Sequence, residues 1–158
     1  QGDSPRTQLV AAFKADETSV LCGTSSLWTG VDVPGGACVC VVVDKLPFDP
    51  PGDPVMDALQ ERAVKRTGRE MAGFMEESLP RAVLALRQGV GRLIRSTEDW
   101  GCVVVCDPRL STKGYGGDIV RSLGMPHRTR SIAEACVWLA DGVARMGAGA
   151  PKTASGAR

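Results

Sequence analysis

The stretch ACVCVVV at residues 37–43 decides the fold class, because it is an unbroken apolar run rich in β-branched valine. Such runs are typical of strands that are covered on both faces in a parallel sheet. A second run, GCVVVC at residues 101–106, has the same character. Patterns typical of helices lie between and around the two runs. Strands that alternate with helices predict an α/β fold, a three-layer sandwich on a mostly parallel sheet.

The remaining elements follow from hydrophobic periodicity and from chain-breaking residues. A short strand is predicted at residues 18–22. Helices are predicted at residues 6–14, 55–68, 70–77, 80–96, 118–123 and 131–145. The last helix is expected to begin at Ser131, with Glu134 completing a capping box. Its predicted buried face consists of Ile132, Ala135, Cys136, Leu139 and Val143.

Composition limits the domain organisation. With 43% hydrophobic and 23% charged residues, the 158-residue chain is expected to form one soluble globular domain at residues 1–146. The low-complexity sequence GAGAPKTASGAR at residues 147–158 predicts a disordered tail. The polar start and the short apolar runs predict no membrane partner and a fragment of a longer cytoplasmic protein. The net charge of +1 excludes nucleic-acid binding by bulk electrostatics alone.

Cysteine and histidine usage limits the possible chemistry. The six cysteines form no CxxC pair, and most lie in apolar β-type runs. They are interpreted as small buried hydrophobic residues, and no metal site or disulfide framework is expected from them. His127 is the single histidine and lies in a polar stretch. A histidine-centred catalytic triad therefore has little support.

The stretch QGVGRLIRS at residues 88–96 carries the main candidate site. Val83, Leu86, Val90 and Leu93 form an apolar stripe, whereas Gln88, Gly91, Arg92 and Arg95 share the other face. Each glycine costs about 1 kcal/mol in a helix interior, and the two arginines repel each other. An anion with several oxygens, such as a phosphate, would satisfy this face. The alternative is an ordinary solvated helix face.

A second candidate lies in the long loop GTSSLWTGVDVPGG at residues 23–36. Ligands of parallel α/β sheets meet the loops at the carboxyl ends of strands, and this loop follows a predicted strand. Asp32 is flanked by Gly30 and Gly35, which places a carboxylate on flexible backbone. The alternative is structural, because an aspartate in a turn often bonds its own backbone.

These stretches together resemble a known family. QGVGRLIR resembles motif VI (QxxGRxxR) of superfamily 2 helicases, and GTSSLWTGVDVPGG resembles motif V. The segments VVVDKLPFDPPGDP and DWGCVVVCDPRLSTKGYG resemble the second motor domain of the DinG branch, which is similar to the XPD helicases. The resemblance extends from residue 1 to about residue 123. Thr29 departs from it, since the branch often has Glu or Gln after the aromatic residue.

The resemblance implies a RecA-like (P-loop NTPase-like) helicase C-terminal domain that closes against a first motor domain. That first domain would hold the Walker motifs, with ATP and Mg²⁺ in the cleft between the two. Arg92 and Arg95 would act as arginine fingers, and Gln88 would orient the γ-phosphate or the attacking water. The implied ATP-binding residues are Gly30, Asp32 and Gly91, and the implied nucleic-acid-binding residues are Thr24 and Ser25.

The resemblance also implies the partners and the activity. The partners would be the N-terminal motor domain of the same chain and single-stranded DNA, and the activity would be ATP-dependent DNA unwinding. The isolated chain is expected to be inactive, because no Walker A pattern is present. Members of the branch often carry an iron–sulfur cluster in the first motor domain, so none is assigned to these cysteines. Alternatives are a non-catalytic nucleic-acid-binding module and an RNA-directed or nuclease-linked relative of the same motor.

Overall fold

A computed structural model describes residues 6–16, 18–24, 27, 38–91 and 100–149 of the chain. The strands of this part are β1 (Cys40–Val43) and β2 (Cys102–Val105). The helices are α1 (Arg6–Ala15), α2 (Pro54–Thr67), α3 (Leu79–Val90), α4 (Arg109–Thr112), α5 (Gly116–Ser122) and α6 (Ile132–Gly149). No described helix is both long and apolar enough to cross a bilayer.

The two strands form a parallel pair. Cys40 lies opposite Cys102 and Val43 lies opposite Val105. The ladder extends past β2, since the Cys106 N–H donates to the Val43 carbonyl at 2.9 Å. Helices α2 and α3 connect the strands, as a parallel pairing requires. The predicted α/β class and the predicted parallel pairing are confirmed.

One face of the sheet packs on the main core. Leu86 of α3 and Ile119 of α5 are almost completely buried, with exposures of 0% and 1%. The buried cluster consists of Val43, Leu46, Leu79, Leu86, Val90 and Ile119. Val42 points away from it and is 64% exposed. Because successive side chains alternate, Val42 lies on the face that does not meet this core, and the described residues leave its side chain largely uncovered.

Helix α2 agrees with the helix predicted at residues 55–68. The Asp53 carboxylate caps its start by accepting the N–H groups of Val55 at 2.9 Å and Met56 at 3.1 Å. Pro54 occupies the first turn, where its missing N–H costs little. Gly68 ends the helix with φ +69°, a conformation that favours glycine.

The predicted separate helix at residues 70–77 is wrong, since helical structure runs without a break from residue 72 into α3. The junction is a π-turn at Phe74–Ser78, in which the Leu79 N–H donates to the Phe74 carbonyl. Pro80 has no N–H to offer Glu76, as an uninterrupted α-helix would require. The wider turn keeps the helix continuous across this position. Residues 92–96, the end of the predicted helix, lie outside the described part.

The start of the chain follows the prediction only in part. Helix α1 is confirmed, and its half-buried residues are Leu9, Val10 and Phe13, the predicted face. The predicted strand at residues 18–22 is absent from the described residues 18–22. The Thr18 N–H and the Thr18 hydroxyl instead donate to the Asp16 carboxylate at 2.9 and 2.7 Å, which makes a turn. Val20 is 85% exposed, so its side chain is not part of the core.

The start of α6 is capped as predicted, although by a relay. The Glu134 N–H donates to the Ser131 hydroxyl at 3.2 Å. The return bond of a capping box is made through Thr129, whose hydroxyl accepts the Ser131 N–H at 3.0 Å and donates to the Glu134 carboxylate. The helix ends at Gly149, beyond the predicted end at residue 145. The first residues of the predicted tail are thus helical, and residues 150–158 lie outside the described part.

The buried face of α6 differs from the predicted one. Ala135 and Leu139 are half-buried as expected, but Ile132 is 79% exposed and Val143 is 51% exposed. Gly142 is buried instead. The side of α6 that carries Gly142 faces the core, because Gly142 lies against the Trp100 indole, where a larger residue would not fit.

Two smaller corrections concern the second half of the chain. The helix predicted at residues 118–123 begins two residues earlier, at Gly116, and the short helix α4 was not predicted.

The cysteines are less buried than predicted. Cys38, Cys40 and Cys102 are half-buried, whereas Cys22, Cys106 and Cys136 are exposed, and all six are free thiols.

Candidate functional site

The end of α3 presents Gln88 and Gly91 to solvent. Leu86, Gly89 and Val90 are buried on the other side of the helix. This arrangement is the predicted one, because residues that alternate at helical spacing separate into a buried stripe and an exposed face. Gln88 is exposed and Gly91 follows it by one turn. The described half of motif QxxGRxxR is therefore accessible to a ligand or a neighbouring domain.

Gly91 ends α3 by a close backbone approach. Its N–H donates to the Arg87 carbonyl at 2.8 Å, and its φ of −62° is an ordinary right-handed value. An added Cβ would lie 3.1 Å from the Arg87 carbonyl oxygen, which is tighter than normal van der Waals contact. Space, rather than backbone conformation, therefore favours glycine here.

A cavity of about 340 Å³ adjoins this helix end. It lies between the C-terminal ends of α3 and α5, with Arg87, Val90 and Gly91 on one wall and residues 123–126 on the other. Helix C-termini carry partial negative charge, which disfavours an anion. Bound phosphate at this rim would therefore need guanidinium groups to offset the carbonyl dipoles.

The other predicted site residues divide into two groups. Thr24 is described and exposed, and its carbonyl accepts the Leu27 N–H at 2.9 Å. The predicted residues outside the described part are Ser25, Gly30, Asp32, Arg92 and Arg95. Gln88 and Gly91 are thus the predicted site residues that the structure shows side by side.

Asp107, directly after β2, joins the strand-end loops. Its carboxylate accepts the Leu46 N–H at 2.9 Å, which ties the loop after β1 to the end of β2. It also accepts the Arg109 N–H at 2.9 Å and two guanidinium nitrogens, Nε at 2.9 Å and Nη2 at 2.6 Å. The Asp107 side chain is 3% exposed, whereas that of Arg109 is 37% exposed.

These contacts favour the charged form of Asp107. Hydrogen bonds from the Arg109 guanidinium are the largest cause, and they hold the pKa of the Asp107 carboxyl far below its usual range, against the effect of burial. Bonds from the Leu46 and Arg109 N–H groups act in the same direction. The same pairing raises the pKa of Arg109. The ion pair is therefore intact at neutral pH.

The bonds of Asp107 to Leu46 and Arg109 form a clamp at the ends of the strands, which we call the Asp107 clamp. An aromatic cluster packs beside it. The Arg109 guanidinium lies 4.9 Å from the centroid of the Phe48 ring, a cation–π distance. Phe48 stacks on Phe74 at 5.5 Å, and Tyr115 closes the group at 5.0 Å from Phe74. Sequence reasoning pointed to the loop after β2 but missed the clamp. The sequence feature that could have indicated it is the Asp-Pro-Arg triplet at residues 107–109, directly after a predicted buried strand.

A second cavity of about 310 Å³ opens beside the aromatic cluster. Its wall includes Phe48, Arg109 and a polar pair in which the Gln60 amide donates to the Ser78 hydroxyl at 2.9 Å. Asp49 and Asp57 also line it. These carboxylates make the opening unfavourable for phosphate.

The described residues offer no ligand set for a metal. Among them, no group of three or more His, Cys, Asp and Glu side chains is placed to hold one ion. Burial raises the pKa of the Cys38, Cys40 and Cys102 thiols, which keeps them protonated.

The described part is thus a parallel α/β domain with an exposed QxxG helix end, and comparison with known families identifies its class. The Helicase C-terminal domain family matches residues 1–125 of the chain. The chain belongs to this family.

Its relatives carry helicase and exonuclease names. The chain is 44% identical to the ATP-dependent DNA helicase YoaA of Escherichia coli (strain K12) over 140 residues, which is 89% of the chain and 22% of YoaA. It is 44% identical to the ATP-dependent helicase DinG of Mycobacterium tuberculosis (strain ATCC 25618 / H37Rv), over 78% of the chain and 18% of that protein. It is 40% identical to the 3'-5' exonuclease DinG of Bacillus subtilis (strain 168), over 86% of the chain and 14% of that protein. The chain therefore spans about a fifth of these relatives or less.

Proposed function

We propose that the chain is the second motor domain of an ATP-dependent DNA helicase and supplies arginine fingers to ATP held by a first motor domain. The observation that carries this proposal is the exposed end of α3. Gln88 and Gly91 face outward there, and Arg92 and Arg95 follow at motif spacing in a chain of the Helicase C-terminal domain family. Asp32 and Gly30 of the preceding loop would complete the nucleotide-facing edge.

ATP hydrolysis requires positively charged groups near the γ-phosphate more than it requires a side chain that reacts covalently. Phosphoryl transfer depends mainly on positioning and on stabilising charge at the γ-phosphate, and an arginine finger can contribute about 10³–10⁵ in rate. The described helix ends contribute carbonyl dipoles of the wrong sign, so guanidinium groups must supply the positive charge. Gln88, on the exposed face, would orient the γ-phosphate or the attacking water.

We also propose the RecA-like three-layer arrangement. On one face of the sheet, α3 and α5 contribute the main core. Cys40 and Cys102 alternate with the core-facing valines, and the Cys136 thiol of α6 lies within electrostatic range of both. This proximity supports a third layer, formed by α6, on the opposite face.

Arginine variants of the full-length protein test the catalytic proposal. We expect Arg92→Ala and Arg95→Ala each to lower single-strand-stimulated ATP turnover by about 10³. Single-stranded DNA binding, measured by fluorescence anisotropy, should stay within about threefold, because the arginines act on the triphosphate. The matched control is Arg62→Ala, which removes an exposed arginine of α2. Equal losses of DNA affinity and turnover would instead assign the two arginines to nucleic-acid contact.

The proposed partners are the N-terminal motor domain of the same chain and single-stranded DNA. Thr24 and Ser25 would contact the DNA backbone. ATP bound between the two domains would close the cleft and hydrolysis would release it, which moves the protein along the strand. A non-catalytic nucleic-acid-binding module would instead bind DNA through this chain alone. The net charge of +1 disfavours that alternative, and a salt titration of the isolated chain distinguishes the two.

The exonuclease name of the Bacillus subtilis relative raises a nuclease-linked alternative. A metal-dependent nuclease site needs several carboxylates or histidines converging on one point. The described residues contain no such group. The described part of the chain therefore lends no support to the nuclease-linked alternative.

ATP and Mg²⁺ are proposed as ligands held mainly by the first motor domain. We assign no iron–sulfur cluster to this chain, because the family resemblance places the cluster cysteines of the branch in the first motor domain.

A further inference from the structure

The second cavity, beside the aromatic cluster, lies at the carboxyl ends of both described strands. Phe48 and residues 49–52 of its wall belong to the loop that follows β1, and Arg109 comes shortly after the end of β2. Helix α2 and the π-turn form the rest of the wall. Ligands of parallel α/β sheets bind at this edge, and a volume of about 310 Å³ is in the range of small-ligand sites. The cavity therefore has the position and the size of a binding site.

The Arg109 guanidinium, which lines this cavity, has hydrogen-bond donors to spare. Asp107 accepts from its Nε at 2.9 Å and from its Nη2 at 2.6 Å. Within the described part of the chain Nη1 has no hydrogen-bond partner, so the edge formed by Nη1 and Nη2 keeps parallel N–H groups. The side chain is 37% exposed and lies over the Phe48 ring. A guanidinium edge that is already held in place matches two neighbouring acceptors on a planar ligand.

Gln60 and Ser78 add both kinds of polar group to the same wall. The Gln60 amide donates one N–H to the Ser78 hydroxyl at 2.9 Å. Among the described residues, the other Gln60 N–H, the Gln60 carbonyl oxygen and the Ser78 O–H have no further partner. Ser78 is 8% exposed, so its remaining donor lies in a buried position. A ligand with both acceptors and donors would satisfy these groups.

The charges around the cavity favour a neutral ligand. Asp107 neutralises the Arg109 guanidinium, so the arginine brings no net positive charge. Asp49 lines the cavity and pairs with Arg81 at 3.0 Å, whereas Asp57 adds a further carboxylate. Phosphate and carboxylate groups are therefore disfavoured inside.

A nucleobase is neutral and planar, and it carries both acceptors and donors. Guanine presents O6 and N7 side by side, and an arginine fork bonding to these two atoms is the commonest specific contact between proteins and bases. Its remaining polar edge carries donors as well, which an amide such as that of Gln60 can accept. Guanine therefore matches the free groups of this wall.

We propose that this cavity binds a guanine base of single-stranded DNA, with the Arg109 guanidinium donating to O6 and N7 and the Gln60 amide binding the remaining polar edge. The inference deepens the proposed function and rests on it, because it names a base contact for the DNA strand proposed as a partner. The phosphates of the strand stay outside, since Asp49 and Asp57 line the cavity. Affinity for a single strand therefore depends on its bases.

The first test compares DNA strands on the wild-type full-length protein. An oligothymidine with one central guanine should bind about tenfold more tightly than the all-thymine strand, measured by fluorescence anisotropy. A third strand carries 7-deazaguanine, which lacks the N7 acceptor, and should lose most of this gain. Equal affinities for the guanine and all-thymine strands, or for the guanine and 7-deazaguanine strands, would overturn the inference.

The second test uses variants of the cavity wall. Arg109→Lys keeps a cation beside Asp107 but removes the fork, and Gln60→Met removes the amide. Each should lower the preference for the guanine strand to less than about threefold, while affinity for the all-thymine strand stays within about twofold. The unchanged all-thymine affinity shows that the variant is folded. The matched control is Arg62→Ala, an exposed arginine of α2 outside the cavity, which should keep the full preference. Full preference in Arg109→Lys would contradict the assignment.

Failure of the proposed function gives a different result. If the wild type binds neither strand, the proposed DNA partner is wrong, and free deoxyguanosine then tests the cavity by saturation-transfer NMR. Excess ADP in this experiment occupies the proposed nucleotide site. A deoxyguanosine signal in the wild type that is lost in Arg109→Lys would support a guanine site, and no signal in the wild type would overturn it.

Discussion

At the scale of single residues, Asp107 is the group on which most of the strand-end structure depends. It is buried and charged, and its oxygens accept bonds from the backbone of two loops and from the Arg109 guanidinium. A buried carboxylate is costly unless it is both paired and hydrogen-bonded, and Asp107 is both. Its role here is to hold the loop after β1 against the end of β2.

Replacing Asp107 should destabilise the fold. We expect Asp107→Asn to lower the free energy of unfolding of the chain by about 1–3 kcal/mol, because the Arg109 guanidinium and two N–H groups lose a charged acceptor. Urea unfolding followed by circular dichroism measures this change. The control is Asp49→Asn, which breaks the exposed pair with Arg81 and should cost less than about 1 kcal/mol. Equal effects of the two substitutions would contradict the role assigned to Asp107.

The same residue gives a pH dependence with a defined sign. The pKa of Asp107 is lowered in the folded protein, so the unfolded chain binds the proton more readily. Its contribution to stability is therefore complete above about pH 5, where an unfolded aspartate is almost fully ionised, and is lost progressively as the pH falls from there through the folded pKa. Wild-type unfolding midpoints should fall more steeply below pH 4 than those of Asp107→Asn. Parallel profiles would contradict this assignment.

At the scale of elements, α2 and the helical segment before α3 meet at a glycine. A Cβ on Gly73 would lie 2.7 Å from the Gln60 Cβ and 2.9 Å from the Gln60 Cα. Gln60 also bonds the buried Ser78 of the π-turn at 2.9 Å. The two helices therefore approach each other at a point where only glycine fits.

Gly73→Ala should separate these helices. We expect a net loss of up to about 2 kcal/mol in the free energy of unfolding, since overpacking costs about 1–3 kcal/mol and the gain in helix propensity returns about 1 kcal/mol. Thermal or urea unfolding of the chain measures it. The matched control is Gly114→Ala, because a Cβ at Gly114 would meet nothing within 4 Å. A Gly73→Ala protein as stable as the control would show that the helices can shift at no cost.

At the scale of elements, hydrophobic periodicity predicted a buried helix face correctly where that face consists of large apolar residues. The α3 stripe was correct because Leu86 and Val90 are large and fall at helical spacing. The buried face of α6 was misassigned because a buried glycine, Gly142, leaves no hydrophobic mark in the sequence. The π-turn was missed because Pro80 was interpreted as a helix start, whereas the helix passes through it by widening one turn.

At the scale of the whole molecule, the sequence predicted the class of the domain more fully than its site. Motif spacing placed Gln88 and Gly91 on the exposed end of α3, and the structure confirms their exposure. The roles of Arg92, Arg95 and Asp32 remain predictions, since these residues lie outside the described part. The bond from the Leu46 N–H to Asp107 joins residues far apart in sequence, and no local pattern predicts it.

A domain that supplies only part of a nucleotide site should not turn over ATP alone. We expect the isolated 158-residue chain to show no ATP hydrolysis above background in a coupled assay with Mg²⁺ and single-stranded DNA, because it has no Walker A sequence. The full-length protein, assayed in parallel, is the positive control. Turnover by the purified isolated chain would require a complete nucleotide site within it.

The most direct test of the central claim is the single-turnover rate of ATP hydrolysis by the full-length protein at saturating ATP, which isolates the chemical step. If this chain supplies the catalytic guanidinium groups, Arg95→Ala should hydrolyse bound ATP about 10³ times more slowly than the wild type, whereas Arg62→Ala should match it. An Arg95→Ala protein that hydrolyses bound ATP at the wild-type rate would contradict the account.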